Sequence, residues 1–318
     1  MLNPGCPCRE VVRQVQAFFA LHDLGPVDEG TGGYCQARGR RPLDTLQRLR
    51  GAGAAHADKL LPQAQQLWSG LRPKVIDGST SSLPDTKKNQ RAYPQSRSQK
   101  PGGGFPRLKL VGIFSLASGV WLDDAKGHKH QHELALLRKL LDHFKPGDRA
   151  VADRGFCSYA LIGLLFLRNV ASLFRLHQAR AADLRQGQRL GMEKLSCQSP
   201  KMVHQELEMF FIAYNLIRAL AVEASALHNV PGDRISFKGT VDASRQYSIA
   251  IAQARSQKKQ RQLVAELLSV LALDQVPDRP GRREPRAVKR RPKPYPLLNR
   301  PRHQFKEIPH RSAYRKAA

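Results

Sequence analysis

The segment LKLVGIFSLASGVWLDDAKG, residues 108–127, limits the fold more than any other part of the chain. Its two β-rich runs flank Ala117-Ser118-Gly119, a turn signal, and so predict a hairpin. Upstream, PKVIDGST (73–80) reads as a short buried strand broken by Gly78, with Asp77 at its C-terminal end. The polar stretch LPDTKKNQRAYPQSRSQKPGGGFP joins that strand to the hairpin as a loop. Downstream, ELALLRKLLDHF puts Leu134, Leu137, Leu141 and Phe144 on one helical face, and Lys145-Pro146-Gly147 ends it. A short apolar run, RAVAD (149–153), stops on Asp153; helix-like SYALIGLLFLRN and a further strand, ASLFRL, follow.

The order strand, strand, strand, helix, strand, helix, strand is that of an α/β, ribonuclease-H-like mixed sheet with flanking helices. In open sheets of this kind, sites gather at the carboxyl ends of strands, where both Asp77 and Asp153 are expected. Four regions follow. Residues 1–70 form a helical basic head: REVVRQVQAFFALH carries Val11, Val12, Val15, Phe18 and Phe19 at helical spacing, followed by turn-rich sequence through Arg38, Arg40, Arg41, Arg48 and Arg50. Either DNA-end binding or packing on the next domain suits such a head. Residues 71–230 are the core, closed by a long helix that starts at the N-cap pair Ser199-Pro200 and buries Val203, Leu207, Phe210, Phe211, Tyr214, Ile217 and Ala221. Residues 231–277 form a small helical cap. Residues 278–318 hold 14 Lys+Arg, 3 Asp+Glu and 7 Pro and are expected to be an extended, disordered basic tail.

Charge selects the class of partner. The chain has 53 Lys+Arg against 26 Asp+Glu, a formal +27, and an excess of that size calls for an anionic partner. Nucleic acid fits, since each phosphate neutralised releases condensed counterions. A ribosomal or other RNA-binding protein would carry the same charge, so charge alone gives no activity. No stretch approaches the roughly 20 uncharged apolar residues of a membrane span, and MLNPGCPCRE lacks the pattern of a secretory signal; a cytoplasmic, nucleoid-associated location with no membrane partner is expected. Cysteines 6, 8, 35, 157 and 197 suit neither a disulfide framework nor a zinc spacing, and read as reduced thiols, with Cys6, Cys8 and Cys35 only a weak metal set.

In-line attack on phosphorus in DNA is served by two divalent cations roughly 3.5–4 Å apart, one at the attacking oxygen and one at the leaving oxygen. Magnesium takes hard oxygen ligands, so such a site needs Asp or Glu side chains from separate elements. Asp77 and Asp153 suit that task, although a strand-end aspartate on its own is more often a cap or turn residue. Their surroundings change the reading. VIDGSTSSLPDT matches a first motif of Asp-Gly-Thr/Ser at a strand end followed by Leu-Pro-Asp-Thr, and VADRGF matches a second of Asp-Arg-Gly-Phe after a strand. KLSCQSPKMVHQEL and the helix EMFFIAYNLIRAL complete the likeness. On these motifs the chain resembles the insertion-sequence-four family of DDE transposases over nearly its full length.

The resemblance implies that Asp77 and Asp153 are the first two ligands for Mg²⁺ or Mn²⁺ and that Arg154 contacts DNA phosphate beside them. Lys87, Lys88, Arg91, Lys100 and Arg107 are further DNA-binding candidates. It also implies double-stranded DNA as partner, both insertion-sequence ends and target, and a homodimer or a heterodimer with intact transposase. One departure stands out. The family's β-rich insertion and its Tyr-x-x-Arg-x-x-x-Glu helix, which carries the third catalytic acid, are missing: ASLFRLHQARAADLRQGQRLG runs directly into MEKLSCQSPKM, with Leu190-Gly191 as the seam. Glu193, Glu206 and Glu208 follow closely, none in the family's context, and Glu193 is a weak surrogate. Little or no strand cleavage is therefore expected, the alternative to an active enzyme being a non-catalytic DNA-binding remnant that interferes with intact transposase. His128, His130 and His132 before Glu133 read as a polar helix start, because a helical metal site prefers i, i+4 spacing. Glycines 102–104 read as a flexible DNA-facing loop, and Cys157 and Cys197 as buried or idle thiols.

Overall fold

In the computed structural model the described residues are 7–96, 104–174, 195–277 and Gln304. Three helices come first: α1 (Cys8–Leu21), α2 (Thr31–Arg40) and α3 (Leu43–Lys59), then the single turn α4 (Gln63–Gln66). The stretch through Arg38–Arg50, expected to be turn-rich, is thus helical. Its buried side chains Leu46, Arg50, Ala54 and Ala57 recur at helical spacing, and the arginine takes its partners from elsewhere in the fold.

Strand β1 (Arg72–Ser82) runs unbroken through Gly78, contrary to expectation, because the antiparallel pairing with β2 (Arg107–Ser115) continues from Lys74↔Ser115 to Ser82↔Arg107. The connection between them, expected to be loop throughout, contains α5 (Lys87–Ala92); Thr86 caps it by accepting from the Asn89 N–H at 3.1 Å. The hairpin forms as expected, with β3 (Trp121–His128) paired antiparallel to β2 and Gly119 at φ +71° in the turn. After α6 (Glu133–Leu137) the chain tightens to a 3-10 helix over Arg138–His143, so only the first half of the expected helix is α-helical. Strand β4 (Asp148–Ala152), α7 (Tyr159–Phe166) and β5 (Ala171–Phe174) follow, and β4 pairs parallel with both β1 and β5. The sheet order β3-β2-β1-β4-β5, with its first three strands antiparallel and the rest parallel, is the mixed ribonuclease-H-like arrangement.

Both faces of the sheet are covered, which explains why β2 is almost continuously apolar. Leu108 and Leu110 point to one side, against Val203, Leu207 and Phe211 of α8 (Pro200–His228). Val111 and Ile113 point to the other, against Leu136, Leu140, Phe144 and Leu165. Gly112 keeps the first face open for Trp121, whose ring would lie 2.7 Å from any Cβ there and which stacks on Phe211 at 4.1 Å. Ser199 occupies the N-cap position of α8 but makes no side-chain cap bond; Pro200 at the helix start supplies the preset φ. By length and composition α8 could cross a membrane, yet here it is the central core helix, with Phe211, Ile217 and Ala224 buried. Its C-terminal half packs against α9 (Phe237–Gln253) and α10 (Gln257–Leu273).

Candidate active site

The parallel ladder between β1 and β4 fixes the position of both aspartates. It ends at Ile76↔Ala152, so the next residue on each strand, Asp77 and Asp153, stands where the two strands part. Asp77 is therefore in the middle of β1, not at its end: β1 continues along β2, opposite Gly112, after β4 has left. The crevice belongs to the carboxyl end of the parallel pair, where sites of open sheets form.

Local hydrogen bonds aim both carboxylates. Asp77 Oδ1 accepts from the Gly78 N–H at 2.6 Å, and Asp153 Oδ1 accepts from the Gly155 N–H at 2.9 Å. Asp77 is half-buried, and Asp153 and Arg154 are exposed. Burial pushes the Asp77 carboxyl up; the Gly78 N–H works against this, and the negative charges of Asp153 and Glu133 add to it, the result being about 6. The crevice thus gathers negative charge faster than the protein neutralises it.

Glu133, which the sequence did not single out as a site candidate, lies beside this crevice. It opens α6, directly after His132, whose ring accepts from the Leu134 N–H at 3.3 Å as N-cap. Its carboxylate lies over Gly78, so that a Cβ at that glycine would come within 3.0 Å of Glu133 Cδ and 3.2 Å of Oε1. The signal was present as an acid at the first helical position after the third strand, but its relation to Asp77 is tertiary. Lys109 Nζ is 3.8 Å from Glu133 Oε1 and donates to the Gln131 carbonyl at 2.9 Å.

The donor set suits a hard divalent ion: carboxylate oxygens from separate elements, with a cradle at Gly78 that a side chain would fill. As placed, no three His, Cys, Asp or Glu side chains among the described residues are close enough to hold a metal together. The other acids considered as substitutes are committed elsewhere. Glu206 accepts from the Ser196 and Cys197 N–H groups, and Glu208 is buried beside Arg50 and Lys126. Glu193 and Lys100 lie outside the described residues, as do Cys6, Gly102, Gly103 and the Leu190-Gly191 seam.

Lys87, Lys88 and Arg91 stand exposed on α5, and Arg107 is exposed at the start of β2. Arg107 and Lys109 lie close enough to Lys129 to hold its ammonium below the usual range, after a larger effect of burial in the same direction. Arg107, Lys109 and Lys129 therefore form a basic cluster, of which Lys109 reaches toward Glu133. Cys197 is pushed up to about 12 by burial and then by Glu206, and Arg38 donates to its Sγ at 3.3 Å. Cys35, also raised by burial, hydrogen-bonds Cys8.

The family model of the transposase DDE domain matches residues 68–190, less than half of the chain, and the match includes both aspartates. No curated protein matches. Among solved structures, the chain is similar to the crystal structure of the Mos1 strand transfer complex, at 13% identity and TM-score 0.32, and to the Mos1 transposase paired-end complex with left transposon end, at 13% identity and TM-score 0.30. Each alignment covers 62% of this chain and 62% of the other, so the chain spans less than two thirds of those proteins.

Proposed function

We propose that the chain is a DNA-transposition protein of the insertion-sequence-four kind, which binds element ends through its basic surface and holds Mg²⁺ or Mn²⁺ at Asp77 and Asp153. The observation that carries this reading is the β1–β4 register, which sets the two aspartates side by side inside the stretch matched by the transposase DDE domain. A bound divalent ion would activate the attacking oxygen and stabilise the leaving one. The chain's own residues orient and attract: the Gly78 and Gly155 N–H groups fix the carboxylates, while Arg154, Lys87, Lys88, Arg91 and Arg107 meet phosphates. The helical head (1–70), the core (71–230) and the cap (231–277) belong to this reading, as do dimers with itself or with intact transposase and a cytoplasmic, nucleoid-associated location.

Strand cleavage is impaired in this reading, because the family's Glu-bearing helix has no counterpart in the sequence. Two-ion catalysis depends on preorganised charge, and one ligand fewer removes both charge and orientation. Supercoiled plasmid carrying the element's ends is the direct test, incubated with Mg²⁺ or Mn²⁺. Binding that favours ends over random DNA, with plasmid left uncut, fits a DNA-binding remnant. Nicking that disappears in Asp77→Ala shows an active enzyme instead, and no preference for ends would sink the transposition reading itself.

A further inference from the structure

We propose that Glu133 supplies the third carboxylate to the divalent-ion crevice of Asp77 and Asp153, in place of the acid that the absent helix would bring. The inference rests on the assignment of those two aspartates to a metal pocket. Its starting point is Gly78. This glycine sits in the middle of an 11-residue strand, and its φ is not in the left-handed region, so the backbone does not require glycine there. A Cβ would stand 3.0 Å from Glu133 Cδ and 3.3 Å from Oε2, so the Glu133 carboxylate, as it lies over the strand, would have to give by a few tenths of an ångström. The position immediately after Asp77 is thus kept bare where the carboxylate of Glu133 comes down on the sheet.

The element that delivers Glu133 is held firmly. Leu136 and Leu137 of α6 are fully buried against the face formed by Ile76, Val111 and Ile113. The first residue of α6 is consequently tied to β1 by the packing of its own helix. The three acids arrive from three separate elements, β1, the end of β4 and the start of α6, as hard-ion sites require. A partly buried carboxylate beside another acid is costly without a counter-charge. Lys109 offers one only at 3.8 Å while its ammonium serves the Gln131 carbonyl, and the Glu133 side chain remains 34% exposed. Glu133 is near enough for its charge to act on Asp77, but no three acids among the described residues yet form a metal-holding group, so ion binding requires the Glu133 side chain to move.

Mn²⁺ titration of the full chain by electron paramagnetic resonance, without DNA, tests this directly. Wild type is expected to bind; Glu133→Gln should weaken binding by at least about tenfold, the scale of losing one supporting group; Asp77→Asn should abolish it. Lys109→Met should bind as tightly or more so, whereas a merely structural Glu133–Lys109 pair would make both variants less stable and leave Mn²⁺ affinity unchanged. Fe²⁺-dependent backbone cleavage of the wild type gives a readout free of any variant's folding: cuts are expected near residues 77, 133 and 153. Cuts at 77 and 153 without one at 133, or full affinity in Glu133→Gln while Asp77→Asn has lost it, overturn the role of Glu133 and leave the aspartate pair intact. A wild type that binds no Mn²⁺ overturns both.

Discussion

At Asp77 the interests of fold and site diverge. Its carboxyl is raised from the ordinary 3.8 to about 6 by burial first and by neighbouring acids after it. A raised value means that the folded chain favours the protonated form. The stability this group contributes is complete below about pH 4 and is lost as pH rises through about 6. Above that the charged side chain strains the fold, which a site built to receive a cation tolerates. Asp77→Asn should therefore stabilise the metal-free protein at pH 8 by about 1 kcal/mol, a value reduced for partial exposure, and change little at pH 4. Urea unfolding in chelator at the two pH values measures this. Saturating Mg²⁺ should then stabilise the wild type and not the variant, since only the state that binds is favoured; equal stabilisation of both would remove Asp77 from the ion site.

Between elements, the strongest polar link is centred on Arg50 of α3. Its guanidinium pairs with Asp123 at 2.6 Å and with Asp124, both on β3, and lies 3.5 Å from Glu208 of α8. Lys126 completes the network, 2.6 Å from Asp124 and 3.0 Å from Glu208. Burial would raise Asp123, but the His143 hydrogen bond, the Asp124 N–H and Arg50 together hold it at about 2, so this acid's contribution is present above about pH 4 and lost as pH falls through 2. Arg50→Met leaves buried Asp124 and Glu208 with Lys126 alone and should cost about 3 kcal/mol, read by urea unfolding. Easier proteolysis within residues 8–66 should accompany it, and a variant as stable as wild type would mean that α3 is held by its alanines alone. This network also explains what the sequence conceals. Helix α1, the hairpin, β4, α7 and β5 were legible because apolar period and turn residues are local. Helix α3 was not, since the stripe Leu46, Arg50, Ala54, Ala57 contains a charge whose partners lie on β3 and α8. Gly78 read as a strand breaker for the same reason: what lies over it is Glu133, 55 positions away. Asp77 and Asp153 were candidates from the sequence because Gly and Arg-Gly-Phe adjoin them, whereas the nearness of Glu133 to Asp77 appears only once α6 is packed on the sheet.

Over the whole molecule, the charge of +27 and the acidic crevice have to be read together. If Asp77, Asp153 and Glu133 share one site as proposed, a polyanion would be repelled there and would approach only where cations surround them. Of the 53 Lys+Arg, 14 lie in residues 278–318 against 3 of the 26 acids, so the chain before them keeps 39 basic and 23 acidic residues. The excess is therefore present before the C-terminal segment as well. Its exposed members nearest the end of β1 are Lys87, Lys88 and Arg91 on α5 and Arg107 on β2, with Lys109 and Lys129 beside them. Phosphates seated on α5 would add affinity while giving no sequence preference of their own. Replacing Lys87, Lys88 and Arg91 together by alanine should weaken binding to element ends and to random DNA by the same factor. It should also reduce the slope of log affinity against log salt by about 2–3, roughly 0.9 for each phosphate no longer neutralised. Filter binding or anisotropy across a range of salt concentrations measures both quantities. An unchanged slope would move the DNA off α5, and a selective weakening at element ends would make α5 a reader of sequence instead of a phosphate rail.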